Sequence, residues 1–274
     1  MAKSKAHKLD PALEQYYAEG NEQERLSSNR LEKDRTLQIL RKLLPSTPAT
    51  ILDIGGAAGT YAFLLAEMGH QVHLIDPIAL HIQQAKETSK NSKFKLASYS
   101  VGDARHLEQN NSSVDVVLLL GPLYYLTKEE DRHKALQEAY RVLKPGGILF
   151  AAGITRFASF MDAMHKKVVA LKSQVIEHEF KTGIHKKIVE GFSFAYLHHP
   201  HELKEEIQNN GFENVTIRAI EGPVWDKRSI EALAQDQEEW EKVLMFIEHI
   251  ETEETILGAS AHIMAVAKKG VEKE

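Results

Sequence analysis

Short apolar segments alternate with amphipathic segments along most of the chain. Nearly continuous apolar runs bounded by glycine, proline or polar residues are typical of strands buried in a parallel sheet. They predict strands at 50–54, 72–75, 94–101, 114–120, 148–152, 215–220 and 261–267. Apolar residues at helical spacing between these runs predict helices at 31–44, 60–68, 78–89, 128–143, 200–210 and 229–250.

This alternation indicates βαβ units, so we predict an α/β protein with a mostly parallel sheet and helices on both faces. The alternation stops at Thr155. Residues 156–192 contain two helix-like stretches, 158–171 and 173–180, which we interpret as a helical lid inserted into a single domain of residues 1–274. The polar residues 1–30 are interpreted as an N-terminal cap segment.

The composition narrows the class of protein. Hydrophobic residues at 43% and charged residues at 27% are ordinary for a globular protein. A net charge of −5 makes a nucleic-acid partner unlikely, because such a partner calls for a basic face. The absence of cysteine excludes disulfides, thiolate metal sites and a cysteine nucleophile. No apolar run is long enough to span a bilayer and no secretory signal is visible, so we expect a cytoplasmic protein without a membrane partner; oligomerisation stays open.

The strand at 50–54 runs into a turn of small residues, Gly55-Gly-Ala-Ala-Gly59. Glycines allow a backbone to approach a ligand closely. The dinucleotide fingerprint G-x-G-x-x-G does not fit this turn in either register, since Ala57 and Ala58 stand where glycine is needed. Asp53 would repel a pyrophosphate, whereas it suits a ligand that carries an ammonium and a sulfonium group. The turn therefore favours a cationic nucleoside over NAD.

With Asp53, Gly55, Ala57 and Gly59, the segment resembles the D-x-G-x-G-x-G motif of the class I S-adenosylmethionine-dependent methyltransferases, with alanine replacing the middle glycine. Further segments that resemble conserved parts of this family lie at 74–76, 102–104, 115–126 and 141–150. The resemblance covers about residues 35–155, 202–220 and 261–267. It implies a Rossmann-like methyltransferase fold with a seven-stranded sheet, and S-adenosyl-L-methionine as the cofactor, with S-adenosyl-L-homocysteine as the product.

Residues of these segments are the predicted cofactor site. Asp76 ends the second strand, where a carboxylate can accept both ribose hydroxyls. In the family, the position of Asp103 faces the adenine amino group. The resemblance implies that the cofactor is bound by Asp53, Gly55, Gly56, Ala57, Gly59, Asp76, Pro77, Asp103, Ala104, Leu120, Tyr125 and Tyr17. Arg25, Arg30 and Arg35 are considered as residues whose guanidinium groups could bind the methionine carboxylate of the donor.

Residues that act on the acceptor are harder to select, because an activated donor mainly requires alignment and exclusion of water. Tyr125 and its neighbour Tyr124 follow the fourth strand and are interpreted as a wall between donor and acceptor, or as ordinary packing. His198 and His199 are considered as a base; the spacing of the His-His-Pro-His segment does not indicate a metal site, and the alternative is a loop before a helix. We predict no metal.

The predicted function is methyl transfer to an unidentified small-molecule acceptor. Three alternatives stay open: an NAD(P)-dependent oxidoreductase on a related fold, an RNA methyltransferase, and a catalytically silent nucleoside-binding protein. Stabilisation by NAD would favour the oxidoreductase, and salt-sensitive RNA binding would favour the RNA methyltransferase. Donor binding without turnover would favour the silent nucleoside-binding protein.

Overall fold

The computed structural model describes residues 29–186, 194–224 and 226–271. The strands are β1 Thr50–Ile54, β2 Gln71–Asp76, β3 Ser98–Val101, β4 Val114–Leu119, β5 Leu143–Thr155, β6 Ile184–Lys186, β7 Phe194–His198, β8 Phe212–Ala219 and β9 His262–Lys269. The helices are α1 Arg30–Leu43, α2 Thr60–Glu67, α3 Ala79–Asn91, α4 Pro122–Tyr125, α5 Glu129–Val142, α6 Ala158–Lys166, α7 Val169–Thr182, α8 Pro200–Asn209, α9 Lys227–Leu233, α10 Gln237–Ile250 and α11 Glu254–Leu257.

The main sheet has the order β3-β2-β1-β4-β5-β9-β8. Its first five strands are parallel, whereas β9 runs antiparallel to both β5 and β8. Each of the seven predicted strands is present, and the predicted α/β fold with a mostly parallel sheet is confirmed.

The predicted number of strands is wrong, because the sheet has nine strands within the described residues. The additional strands are β6 and β7. The last residues of β5, Ile154 and Thr155, pair in parallel with Leu197 and His198, and β6 pairs antiparallel with β7. β6 and β7 are too short to display a reliable periodicity, and β7 pairs with a part of β5 that lies beyond the predicted end at 152.

Several helix boundaries also differ from the prediction. The helix predicted at 158–171 ends as α6 at Lys166, because Lys167 adopts a left-handed conformation with φ of 57°. The acidic helix predicted at 229–250 is divided into α9 and α10, and the carboxylate of Asp236 caps the second by accepting from the amides of Glu238 and Glu239. The short helix α4 was not predicted; it follows β4 directly and begins with Pro122.

Helices cover both faces of the sheet. Along β4, Val117 and Leu119 pack into one core with α5 and α8, whereas Val116 and Leu118 pack into a second core with α1, α2 and α3. This alternation is expected because successive strand residues point to opposite faces. The carboxyl ends of β1, β2, β3 and β4 therefore meet at one edge between the two layers, where open α/β sheets bind ligands.

Among the described residues, none of the helices combines the length and the apolar character that crossing a membrane requires.

Candidate functional site

The predicted site segments come together at the carboxyl edge of the sheet. The amide of Gly55 donates to the carbonyl of Ile75 at 2.7 Å, which joins the glycine turn after β1 to the end of β2. The amide of Gly102 donates to the carbonyl of Asp76 at 3.1 Å and brings in the end of β3. A methyl group added at Gly121 would lie 3.5 Å from the carbonyl oxygen of Gly55, so the end of β4 adjoins the same turn.

Asp53 lies beneath the turn and is 1% exposed. Within the described part of the chain its Oδ2 has no hydrogen-bond partner. Burial, and to a smaller extent the charge of Asp76, raise the pKa of Asp53 to about 7. A methyl group added at Gly56 would lie 2.4 Å from this Oδ2, so only glycine fits above the carboxylate. A buried carboxylate without a partner is costly, and a cationic ligand nearby would compensate it.

The turn requires unusual backbone conformations. Gly55 and Gly59 have φ of 70° and 86°, and Ala57, which replaces the middle glycine of the family motif, has φ of 49°. A left-handed conformation costs a residue with a Cβ atom about 1–2 kcal/mol relative to glycine. Ala57 therefore keeps the backbone conformation that the motif's glycine would adopt, at some cost in stability.

Asp76 is buried and hydrogen-bonded on both oxygens. Its Oδ2 accepts from the amide of Ala57 at 2.9 Å, and its Oδ1 accepts from the amide of Ile78 and contacts Nδ1 of His81, both at 2.9 Å. These contacts use three of the about four acceptor positions of the carboxylate. One ribose hydroxyl can be accepted without rearrangement, whereas the predicted pair would require His81 to release Oδ1.

Asp103 is turned toward Arg105 instead of pointing freely into the site. Its carboxylate accepts from the amide of Arg105 at 2.8 Å and from the guanidinium at 2.5 to 3.2 Å. Arg105 also pairs with Asp131 of α5 at 3.0 Å. The predicted contact of Asp103 with adenine stays a prediction, as do the roles of its buried neighbour Ala104 and of the half-buried Pro77 and Leu120.

The aromatic pair predicted as a wall lies on α4. Tyr124 is 6% exposed and packs against Ile154, Ala195 and Leu197, so it is a core residue. Tyr125 is half-buried, and its ring centroid lies 4.8 Å from that of Tyr124. The structure thus favours packing for Tyr124 and leaves the wall as a prediction for Tyr125.

The His-His-Pro-His segment is the start of a helix. His199 is the N-cap of α8 and forms a capping box with Glu202, and Pro200 occupies the first turn. His198 is 0% exposed, and its Nε2 lies 3.3 Å from Glu206. Burial lowers the pKa of His198, and it also lowers the pKa of the less buried His199. A fully buried His198 has no access to an acceptor in this form, and the base role stays an untested prediction for His199.

Two of the three arginines considered for the methionine carboxylate are engaged elsewhere. Arg35 is 0% exposed, donates to the carbonyl of Ile220 and pairs with Glu251. Arg30 donates to the carbonyl of Ala234 and its guanidinium lies 4.9 Å from the ring centroid of Trp240. Arg25 and Tyr17 lie outside the described residues.

Three ligand-type side chains converge at the same edge without any sequence signal. Glu32, Glu221 and His262 have ligand atoms within 4.8 Å of one another, a spacing that suits a metal ion. Glu221 already contacts Nδ1 of His262 at 2.6 Å and accepts from Ser260 at 2.9 Å. Burial would raise the pKa of Glu221, but the charge of His262 and these hydrogen bonds lower it. Sequence analysis missed this group because its members are far apart along the chain.

The comparisons with known proteins agree with this geometry. Residues 51–147 match the family model described as a methyltransferase domain. The tRNA 5-carboxymethoxyuridine methyltransferase of Escherichia coli K12 is 38% identical over 106 residues, which are 36% of this chain and 38% of that protein. The arsenite methyltransferase of Halobacterium salinarum is 32% identical over 116 residues, which are 41% of this chain and 29% of that protein. The chain thus spans well under half the length of these curated relatives.

A solved structure extends the similarity to most of the chain. The SAM-dependent methyltransferase of Methanosarcina mazei superposes with a TM-score of 0.59 at 18% identity, covering 85% of this chain and 98% of that one. This similarity concerns the fold.

Proposed function

We propose that this chain, a class I methyltransferase by its fold and by the methyltransferase domain at residues 51–147, transfers a methyl group from S-adenosylmethionine to a small-molecule acceptor. The observation that carries the proposal is the buried Asp53, which has an oxygen without a partner among the described residues, beneath the glycine turn and next to Asp76. Two carboxylates and a tight turn at the carboxyl edge of the sheet suit a nucleoside with a positive charge better than a dinucleotide.

The bound donor would supply a methyl group on a positively charged sulfur. On transfer, an acceptor lone pair would take this methyl group as the carbon–sulfur bond breaks, leaving a neutral thioether and passing the positive charge to the methylated acceptor. The chain's own contribution is to hold the two ligands in line and to exclude water. Asp53 and the turn bind the donor, Asp76 accepts from its ribose, and Tyr125 borders the space where the acceptor would lie.

The described part of the predicted lid, residues 156–186, would close this space within one domain; the predicted cap at 1–30 lies, except for its last two residues, outside the described residues. Of the lid, α6 and α7 present aromatic side chains to one another: the ring centroids of Phe157 and Phe160 lie 5.9 and 6.2 Å from that of Phe180. Phe160 and Phe180 are nevertheless 38% and 40% exposed. A partly exposed aromatic surface on the insertion that follows β5 supports a small acceptor with apolar character.

Binding of S-adenosylhomocysteine tests the proposal. Asp76→Ala should weaken this binding about tenfold to hundredfold in calorimetry, because hydrogen bonds to a charged acceptor are lost. Asp115→Ala is the matched control: Asp115 also accepts from a backbone amide and pairs with Lys144, but at the opposite end of the sheet. Equal dissociation constants for wild type and Asp76→Ala would refute the ribose role, and binding of NAD in place of S-adenosylhomocysteine would refute the proposed function.

Turnover requires a separate measurement. Transfer of label from S-adenosylmethionine to a panel of small amines, acids and phenols is the expected result. Donor binding without transfer to any member of a broad panel would favour a catalytically silent nucleoside-binding protein.

A further inference from the structure

A buried guanidinium connects the helices at the carboxyl edge. Arg132 of α5 is 2% exposed, and its Nε and Nη2 donate to both carboxylate oxygens of Glu206 on α8 at 2.6 to 3.1 Å. Its Nη1 donates to the carbonyls of Leu126 at 3.1 Å and Thr127 at 3.2 Å, the two residues that follow α4. All three nitrogens are therefore engaged, and two of the bonds end on the backbone that leaves α4.

The helix α4 in turn contacts the glycine turn. A methyl group added at Gly55 would lie 2.8 Å from Cγ of Pro122, so the first residue of α4 packs directly on the turn. The amide of Leu126 donates to the carbonyl of Pro122 at 3.0 Å, and this bond closes the single turn of helix. A helix this short has little stability of its own, so its position depends on what holds its two ends.

The other side of α4 rests on one of the two strands that the sequence did not predict. Tyr124 packs against Ala195 and Leu197 of β7. Between them in the chain, Tyr196 lies with its ring centroid 3.7 Å from the guanidinium carbon of Arg132, an arrangement that a planar guanidinium favours. The side chain of Arg132 thus joins β7, α8 and the exit of α4.

The ionisation of Glu206 is consistent with a permanent pair. Burial would raise the pKa of Glu206, but hydrogen bonds from His198 and Arg132 outweigh burial and lower its pKa to about 2. Glu206 is therefore charged at every pH at which the protein would be studied, and it keeps Arg132 oriented toward the two carbonyls.

We propose that Arg132 is a positioning residue: together with Glu206 it holds α4 against the glycine turn, and so sets the affinity for the methyl donor. This proposal rests on the proposed function. It also assigns to β7 the role of supporting α4. Sequence analysis did not indicate this role, because β7 is distant along the chain from the donor motifs.

The experiment compares Arg132→Met with two control variants. Arg156→Met breaks a pair that is buried to a similar degree, since Arg156 is 7% exposed and donates to Glu202 of α8 at 2.7 and 3.0 Å. Arg141→Met removes a similar set of bonds from the other end of α5, where Arg141 donates to Glu138 and to the loop carbonyls of Leu107 and Gln109. Neither of these sets of bonds ends on α4. Arg156 also donates to the carbonyl of Leu197 in β7 at 3.3 Å, so Arg141→Met is the control that is independent of the strand on which α4 rests.

Two quantities are measured for each variant: the dissociation constant for S-adenosylhomocysteine by calorimetry, and the rate of amide hydrogen exchange in a peptide that spans α4. We expect Arg132→Met to raise the dissociation constant at least about tenfold and to speed exchange in α4, whereas the two controls stay within about twofold of wild type in both. Arg132→Lys, which keeps the charge, should recover part of the affinity.

The possible outcomes distinguish a failure of the proposed function from a failure of the positioning role of Arg132. Wild-type protein that does not bind S-adenosylhomocysteine would overturn the proposed function and, with it, this role. Wild-type binding with equal losses of affinity in Arg132→Met and Arg141→Met would overturn the positioning role alone, as would faster exchange in α4 without loss of affinity. If Arg132→Met does not fold, Glu206→Gln, which keeps the volume and removes the charge, replaces it with the same expected and opposing results.

Discussion

At the scale of single residues, Asp53 determines the electrostatics of the site. A carboxylate that is 1% exposed and has an unpartnered oxygen within the described chain is unfavourable when it is ionised. The pKa of about 7 means that roughly half of the ligand-free molecules carry a proton on Asp53 at neutral pH. A cationic ligand stabilises the ionised form, so binding of such a ligand releases this proton below neutral pH.

We therefore expect the affinity for S-adenosylmethionine to rise with pH, by up to about tenfold per pH unit below pH 7, and to become constant above it. Calorimetry between about pH 5.5 and about pH 8.5, in buffers of different ionisation enthalpy, measures both the slope and the proton released. Asp53→Asn should bind the donor more weakly and without this slope. A slope that persists in Asp53→Asn would assign the titration to another group.

Asp53 makes the stability of the ligand-free protein depend on pH in the opposite direction to its donor affinity. Because the pKa of Asp53 is raised on folding, the folded chain holds a proton that the unfolded chain has lost between about pH 4 and pH 7. The contribution of Asp53 to the ligand-free stability therefore decreases as the pH rises through this window, while the affinity for a cationic donor increases.

At the scale of elements, the site depends on a contact between the glycine turn and α4. The turn leaves β1 with Gly55 in a left-handed conformation, and Pro122 of α4 fills the space that a side chain at Gly55 would need. Gly69, after α2, has a similar conformation with φ of 93°, but no atom lies within 4 Å of the position of an added methyl group. A comparison of alanine substitutions at these two glycines therefore distinguishes the effect of backbone strain from the effect of displacing α4.

Gly69→Ala should cost about 1–2 kcal/mol of unfolding free energy, because alanine is strained in the left-handed region, and should leave donor affinity unchanged. Gly55→Ala carries the same strain and also displaces α4, so we expect a larger loss of stability and at least about tenfold weaker binding of S-adenosylhomocysteine. Denaturant unfolding and calorimetry provide the two numbers. Wild-type affinity in Gly55→Ala would show that the position of α4 does not matter for the donor.

At the scale of the whole molecule, the sheet order places the donor motifs on β1 to β4, while β5 extends to support β7 beside α4. Two relatives that match this chain over 116 and 106 residues carry names of unlike acceptors, arsenite and a tRNA nucleoside. The similarity to them therefore does not select an acceptor for this chain.

A net charge of −5 predicts weak, non-specific interaction with RNA. A gel-shift titration with total tRNA at low salt should show no retention at micromolar protein, in contrast to a basic tRNA-binding protein run in parallel. Tight binding that weakens steeply with salt would instead favour the RNA methyltransferase alternative.

The resemblance to class I methyltransferases and the α/β fold were predicted correctly from the sequence. Both follow from local signals: apolar runs predict buried strands, and glycine at Gly55 and Gly59 permits the left-handed conformations that the turn needs. The segment at 198–201 was also interpreted correctly as a possible helix start, because capping depends on neighbouring residues.

Tertiary structure alone decided the surroundings of these motifs. Arg132 and Glu206 are 74 positions apart, Asp76 meets His81 only after β2 has turned into α3, and β7 pairs with the end of β5, more than 40 positions away along the chain. No periodicity or spacing encodes such contacts, since each depends on the packing of elements that are distant in the chain. The sequence thus determined which backbone surrounds the donor site, whereas folding decided which charges are paired, which histidine is buried and what holds α4 in place.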